Sequence, residues 1–286
     1  MYKIVILGCE NSHANGFLNF FKDKDDVECI GVYSDDLEAA QKLNEQFNVP
    51  VMENYDEAVG KVDGVIITAR HGDNHYKYAK PYIKSGIPMF IDKPITVSEQ
   101  DAKDFMAELK ENNVPISGGS CVPLEGHVQA MKHAVLNETY GKTIGGFVRA
   151  PLNLDNPYGG FYFYSQHAVQ IMTEIFGNYP LCVQAFKTND IVTCTVHYDK
   201  YDINCQLTAN CWLYYAAVGG ALHHVGEHFA LDTCFTKEYQ EYYDLLKNKK
   251  SRQSYEDFFA PVFILNAIER SLESGKPENI NRIGDL

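Results

Sequence analysis

Apolar positions in residues 1–119 fall into two alternating kinds of run. Short continuous stretches, Ile4-Val5-Ile6-Leu7, Val27 to Tyr33, Val65-Ile66-Ile67 and Met89-Phe90-Ile91, read as strands buried on both faces, as central strands of a parallel sheet are. Between them apolar residues recur at helical spacing. Phe17, Leu18, Phe20 and Phe21 follow a start at Asn11 or Ser12, a second helix runs from a cap at Asp36 to Phe47, and a third covers about Asn74 to Ser85, with Gly86 placed to end it. A fourth helix spans Ser98 to Asn113, and Val114 to Gly119 makes the last strand. Strict alternation of strand and helix predicts a doubly wound, Rossmann-type parallel sheet with right-handed crossovers, in a first domain of residues 1–119.

The pattern then changes. After a helix around Gln129 to Leu136, Thr143 to Ala150, Val183 to Phe186, Ile191 to Tyr198, Ile203 to Thr208 and Cys211 to Val218 read as strands, several with the alternation of a sheet that has one wet face. A late helix runs from about Tyr255 to Ser274 and stops at Gly275. Residues 120–286 are therefore expected to form an α+β domain around a mainly antiparallel open sheet, so the chain is α/β overall with two domains.

Charge narrows the partners. With 25 basic and 38 acidic residues the formal net charge is -13, which repels nucleic acid and anionic membrane surfaces and leaves a small molecule as the expected ligand. No apolar run reaches the length of a signal-peptide core or a membrane span, so a cytoplasmic protein is expected. The eight cysteines are scattered without a C-x-x-C pair and read as reduced core residues, and no metal site is expected. His224-Val225-Gly226-Glu227-His228 matches H-x-x-E-H, but that zinc signature needs a helix, and the glycines at 219, 220 and 226 favour strand or turn.

Candidate chemistry collects at strand ends, where open α/β sheets bind ligands. A strand, a glycine turn and a helix at Gly8 suggest a dinucleotide site, although G-x-G-x-x-G reads here as Gly8-Cys9-Glu10-Asn11-Ser12-His13 and keeps only its first glycine. Glu10 would repel the phosphates unless it turns away, whereas Asn11, Ser12 and His13 supply side-chain donors. After the second strand, Ser34 and Asp35 are candidates for the adenosine ribose, and a carboxylate there favours NAD over NADP; Asp36 is equally well placed simply to cap the next helix. Asp92-Lys93-Pro94 closes the fourth strand and sets a lysine at its carboxyl end.

Taken together, the Gly8 turn, the segment from Asp63 through His75 to Gly86, and Ile91-Asp92-Lys93-Pro94 resemble the Gfo/Idh/MocA family of oxidoreductases, with Asp92 in place of the glutamate of an E-K-P motif. The resemblance implies that Lys93 lies near the nicotinamide and the reacting hydroxyl, and that Pro94 shapes the turn, often through a cis peptide. It extends to Gly159-Gly160-Phe161 through His167, which is similar to the family's G-G-x-x-x-D-x-G-x-H helix: His167 matches the substrate-facing histidine, while Phe163 stands where the aspartate is expected. Tyr164, one helical turn before His167, is the candidate replacement donor, although Tyr162, Phe163 and Tyr164 also read as an aromatic core stripe, and His167 as a plain core or capping histidine.

What the resemblance implies is an NAD-dependent dehydrogenase of a sugar or polyol. Lys93, His167 and Tyr164 are the catalytic candidates, and Gly8, Asn11, Ser12, His13, Ser34, Asp35, Thr68, His71, His75, Lys93 and Pro94 line the cofactor. The alternatives are a non-catalytic sugar-binding relative, motivated by Glu10 and Phe163, and an NAD-assisted glycoside hydrolase. A homodimer or homotetramer burying the open face of the second sheet is expected by the same resemblance.

Overall fold

The computed structural model describes residues 1–209 and 211–282. Residue 210 and residues 283–286, part of the expected second domain, lie outside it. Two compact units emerge. The first comprises residues 1–119 and 235–255, the second residues 120–234 and 256–286. The chain passes from one unit to the other at 119/120, and residues 235–255, read from sequence as part of a continuous second domain, pack with the first unit.

In the first unit, strands β1 (Tyr2–Leu7), β2 (Val27–Tyr33), β3 (Gly64–Ile67), β4 (Met89–Asp92) and β5 (Ile116–Gly119) form a parallel sheet in the order β2-β1-β3-β4-β5. Ile4, Val5, Ile6 and Leu7 are fully buried, as a strand covered on both faces requires. Register decides what the sheet presents. Leu7 stands beside Tyr33 on one side and Ile67 on the other, and Ile67 beside Ile91, so the chain leaves four strands in one row at Gly8, Ser34, Thr68 and Asp92.

Helices α1 (Ser12–Phe21), α2 (Leu37–Phe47), α3 (Asp73–Ile83) and α4 (Glu99–Glu111) make the crossovers. Asn11, Asp36 and Ser98 cap α1, α2 and α4 by accepting the amides of His13, Ala39 and Asp101. Asp36 is thus a cap, one of its two readings.

A further helix, α7 (Cys234–Asn248), was not legible as such in the sequence. Its residues from Phe235 on belong to the first unit. Tyr239 lies where a side chain on Gly16 would have to go, and Tyr242 and Leu246 where one on Gly64 would, so two glycines open the notches that seat it. Half of its apolar face is tyrosine, which blurs a hydrophobic stripe.

The second unit is built on a seven-stranded sheet with the order β11-β10-β6-β9-β8-β7-β12. These strands are β6 (Thr143–Pro151), β7 (Cys182–Thr188), β8 (Ile191–His197), β9 (Asp202–Thr208), β10 (Tyr214–Gly220), β11 (His224–Phe229) and β12 (Glu278–Asn279). Within this sheet only the β6–β9 pair is parallel among the described strands. Burial alternates residue by residue along β8 and β10, the signature of a sheet covered on one face. Helices α5 (Gly126–Leu136), α6 (Phe161–Phe176) and α8 (Tyr255–Ser274) belong with it, and α8 buries Phe259, Val262, Phe263, Ile264, Leu265 and Ile268. No helix among the described residues is long and apolar enough to cross a membrane.

Candidate functional site

At the row of strand ends in the first unit the centre is Asp92. Its carboxylate is fully buried, accepts Asn11 Nδ2 at 2.9 Å on Oδ2 and the Lys93 amide at 2.7 Å on Oδ1, and forms an ion pair with His13, whose Nδ1 lies 2.9 Å from Oδ2. Burial alone would neutralise Asp92, but the His13 imidazolium holds its pKa below the ordinary carboxylate value. His13 behaves reciprocally. Burial would lower its pKa, yet Asp92 and, 3.7 Å away, Glu238 raise it to about 9. The β1–α1 turn and the Asp92-Lys93-Pro94 turn are thereby joined through one buried ion pair. Lys93 is itself 6% exposed, and the Lys93–Pro94 peptide is cis.

The Gly8 turn is formed as a close-approach turn. Gly8 has φ +91°, and any Cβ there would overlap the backbone of Ala69. Thr68 Oγ1 donates to the Gly8 carbonyl at 2.5 Å and is fully buried. His75 is also fully buried, with Nε2 2.7 Å from the Ala69 carbonyl and Nδ1 3.2 Å from that of Ile95. Burial lowers its pKa, so the ring is neutral. Thr68 and His75, expected along the cofactor, thus face the protein: both are spent in shaping the loop after β3, because their polar atoms satisfy buried carbonyls. His71, in the same loop, stays about a third exposed, with Nδ1 accepting the Asp73 amide at 3.3 Å.

Glu10, the residue that replaces the second glycine, turns away from α1. Its Oε2 accepts the Ser34 hydroxyl at 2.7 Å and its Oε1 the Arg70 amide at 3.0 Å. Asp35, expected to hold the ribose, is taken up by Tyr33 Oη at 2.6 Å and Tyr78 Oη at 2.7 Å, with Lys77 Nζ at 3.6 Å. Those hydroxyls keep its pKa low. Ser12 is exposed at the start of α1.

In the second unit the corresponding feature is His167 on α6, 7% exposed. Its Nδ1 lies 2.6 Å from Ser120 Oγ. Ser120 Oγ also accepts the Val122 amide at 3.1 Å, an arrangement that fits the hydroxyl proton directed to Nδ1 and the imidazole proton on Nε2. The Ser120 amide in turn donates to Gln170 Oε1 at 2.6 Å, and Gln166 Nε2 to the same oxygen at 2.9 Å. Phe163 is 2% exposed and packs on Tyr158 and Tyr164. The hydroxyl of Ser120 therefore supplies the polar neighbour that Phe163 denies to His167. A single serine 47 positions from His167 carries no signal of the pairing in the sequence.

Of Tyr162, Phe163 and Tyr164, the first two are buried and Tyr164 is half-buried, its ring 6.2 Å from His167 and 5.1 Å from Trp212. Trp212 also lines a cleft of about 330 Å³ with Asn153, Asp155, Lys187 and Asp190. The H-x-x-E-H stretch is strand β11, which sends His224 and His228 to one face and Glu227 to the other, where it pairs with His127 at 2.9 Å.

Residues 2–120 match the family model described as oxidoreductase family, NAD-binding Rossmann fold. No curated protein sequence matches the chain. Among solved structures, the fold is similar to myo-inositol 2-dehydrogenase from Lactobacillus plantarum, with a TM-score of 0.86 at 15% identity over 98% of this chain and 99% of that one. Myo-inositol dehydrogenase from Corynebacterium glutamicum gives 0.85 at 16% over 98% and 99%. GenD2 from gentamicin A biosynthesis, solved in complex with NAD, gives 0.85 at 16% over 98% and 96%. At such identities the likeness is one of fold.

Proposed function

We propose, from the match of residues 2–120 to the model of an oxidoreductase family with an NAD-binding Rossmann fold and the resemblance of its motifs to the Gfo/Idh/MocA family, that this protein is an NAD-dependent dehydrogenase acting on a secondary alcohol of a polyol or sugar. The observation that carries the reading is the buried Asp92 node, which ties the Gly8 turn through Asn11 and His13 to a lysine held at the end of β4. A solvated surface lysine needs no such anchorage. The polyol class is supported by the inositol dehydrogenases among the similar folds.

The residues at the strand ends fit a dinucleotide. Gly8 makes the close-approach turn, Asn11 caps the first turn of α1, and the Glu10 carboxylate is held on Ser34 and Arg70, neither of which belongs to α1. Gly8, Asn11, Ser12 and His71 would hold it, with His13 acting from beneath through Asp92. When bound, the nicotinamide supplies a hydride acceptor at C4. Lys93 Nζ, as the neutral amine, would take the proton of the alcohol, and the ammonium so formed would stabilise the negative charge on the oxygen as the carbon loses hydride and becomes a ketone. His167, with its proton on Nε2 and Ser120 on Nδ1, would donate to a substrate hydroxyl, with Tyr164 beside it as a second donor.

The test is direct. NADH fluorescence should change on titration with protein, and a panel of inositols and sugars should contain one that reduces NAD. Lys93→Met should lower turnover by roughly 10²- to 10⁴-fold, the range of general acid–base catalysis, with NADH affinity retained. Absence of NADH binding at millimolar cofactor refutes the proposal, and release of sugar from a glycoside without net redox turnover replaces it with NAD-assisted hydrolysis.

A further inference from the structure

Rossmann sites hold the adenosine ribose with a carboxylate at the end of the second strand. Here the carboxylate in that sequence position, Asp35, is engaged on both oxygens by Tyr33 and Tyr78. These rings belong to a cluster with Tyr55, with centroids 5.3 to 5.9 Å apart. Asp35 therefore serves the tyrosine cluster that packs between β2 and α3.

A different carboxylate is fixed over the end of β2. Glu10 leaves the β1–α1 turn and reaches Ser34, the first residue beyond β2, and the Arg70 amide in the loop after β3. Its orientation is determined from both sides. Ser34 Oγ accepts the Asp36 amide at 3.2 Å, so its proton is committed to Glu10, and the Arg70 amide is a backbone donor. An ionised carboxylate has about four acceptor positions; two are used. Glu10 is half-buried, which leaves the side chain in contact with solvent beside the strand ends.

The geometry points to Glu10, not Asp35, as the residue that receives the 2′ and 3′ hydroxyls of the adenosine ribose and sets the preference for NAD over NADP. This rests on the dehydrogenase reading above. A vicinal diol offers two donors to a carboxylate with acceptor capacity to spare. A 2′-phosphate offers only negative charge to a carboxylate that Ser34 and Arg70 prevent from swinging away. The substitution of the second motif glycine is then functional: the acid is supplied from the first turn because the acid at the second strand is turned to the tyrosine cluster and to Lys77, whose charge offsets its own.

Fluorescence titration of NADH and NADPH with the wild-type chain, Glu10→Gln and Asp35→Asn tests it, with thermal midpoints recorded for each. The expected wild-type preference for NADH is roughly a hundredfold, the scale of one like-charge contact near a screened surface. Glu10→Gln should shrink it at least tenfold, mainly by improving NADPH, and Asp35→Asn should leave it in place. Ser34→Ala, which frees the Glu10 side chain without removing its charge, should give an intermediate value and guards against a Glu10 variant that fails to fold. A gap closed by Asp35→Asn and not by Glu10→Gln overturns the assignment. So does equal tightening of both cofactors in Glu10→Gln, which would make Glu10 a mere obstruction. Wild-type chain that binds neither dinucleotide refutes the dehydrogenase reading itself and this inference with it.

Discussion

Replacing His13 by glutamine removes the cation from the node that joins the β1–α1 turn to Asp92, and its effect should depend on pH in a defined way. In the folded chain Asp92 and Glu238 hold the imidazolium to about 9 against an ordinary 6.5, and at ~1.4 kcal/mol per pH unit that difference is worth about 3 kcal/mol. The folded value lies above the unfolded one, so the contribution is complete below the unfolded value and is lost as pH rises through about 9.

Buried thiols add a slope of the same sign. Burial pushes Cys29 up to about 12 and Cys9 higher still, while unfolded thiols ionise near ~8.5, so alkaline pH favours the unfolded chain in any variant. The difference between wild type and His13→Gln cancels that slope. Urea unfolding followed by far-ultraviolet circular dichroism should show wild type ahead by about 3 kcal/mol near pH ~6, with the gap mostly gone by pH ~9.5. A gap that stays constant across this window would refute the claim that His13 is held as an imidazolium by Asp92.

Further outcomes follow from single contacts. Ser120→Ala should lower kcat about fivefold to tenfold, the worth of one hydrogen bond of ~1 kcal/mol, and alter the pH profile of kcat, with recovery in Ser120→Thr; an unchanged profile would mean that the hydroxyl does not position His167. Gly8→Ala should destabilise the chain by more than ~2 kcal/mol, because φ is +91° and the new methyl meets the Ala69 backbone, and a thermal midpoint equal to wild type would contradict the tight turn. Glu125 is buried, which opposes its charge, but the amides of Thr233 and Cys234 outweigh that and lower its pKa. Its contribution is therefore present at neutral pH and lost as pH falls below the ordinary carboxylate range. Glu125→Gln should cost about 2 kcal/mol near neutrality and less in acid, read by fluorescence of Trp212, the single tryptophan.

Local chemistry announced much of this protein. Continuous apolar runs such as Ile4 to Leu7 marked parallel strands because both faces must be covered, and Asn11, Asp36 and Ser98 marked helix starts because each can accept an orphan amide within its own turn. The Asp92-Lys93-Pro94 motif was visible because its meaning depends on a strand end, a feature of a few neighbouring residues. Signals of this kind act over one turn or one strand, and those are the distances over which a sequence can be read without knowing what it packs against.

Tertiary structure alone decided which of the polar candidates are free to act. Thr68 and His75 are consumed by carbonyls of Gly8, Ala69 and Ile95, Asp35 is turned to two tyrosine hydroxyls, and α7 packs with the first unit through notches at Gly16 and Gly64. His13 and Glu10, which look like damage to a glycine motif, become a buried ion pair and a fixed carboxylate only once Asp92, Ser34 and Arg70 are brought beside them from 24 to 79 residues away in the chain. Sequence determined the alternation of elements and the lysine at a strand end, because both are local. Whether a given hydroxyl, imidazole or carboxylate faces a ligand or a buried carbonyl depends on partners remote in the chain, and only the folded register supplies those.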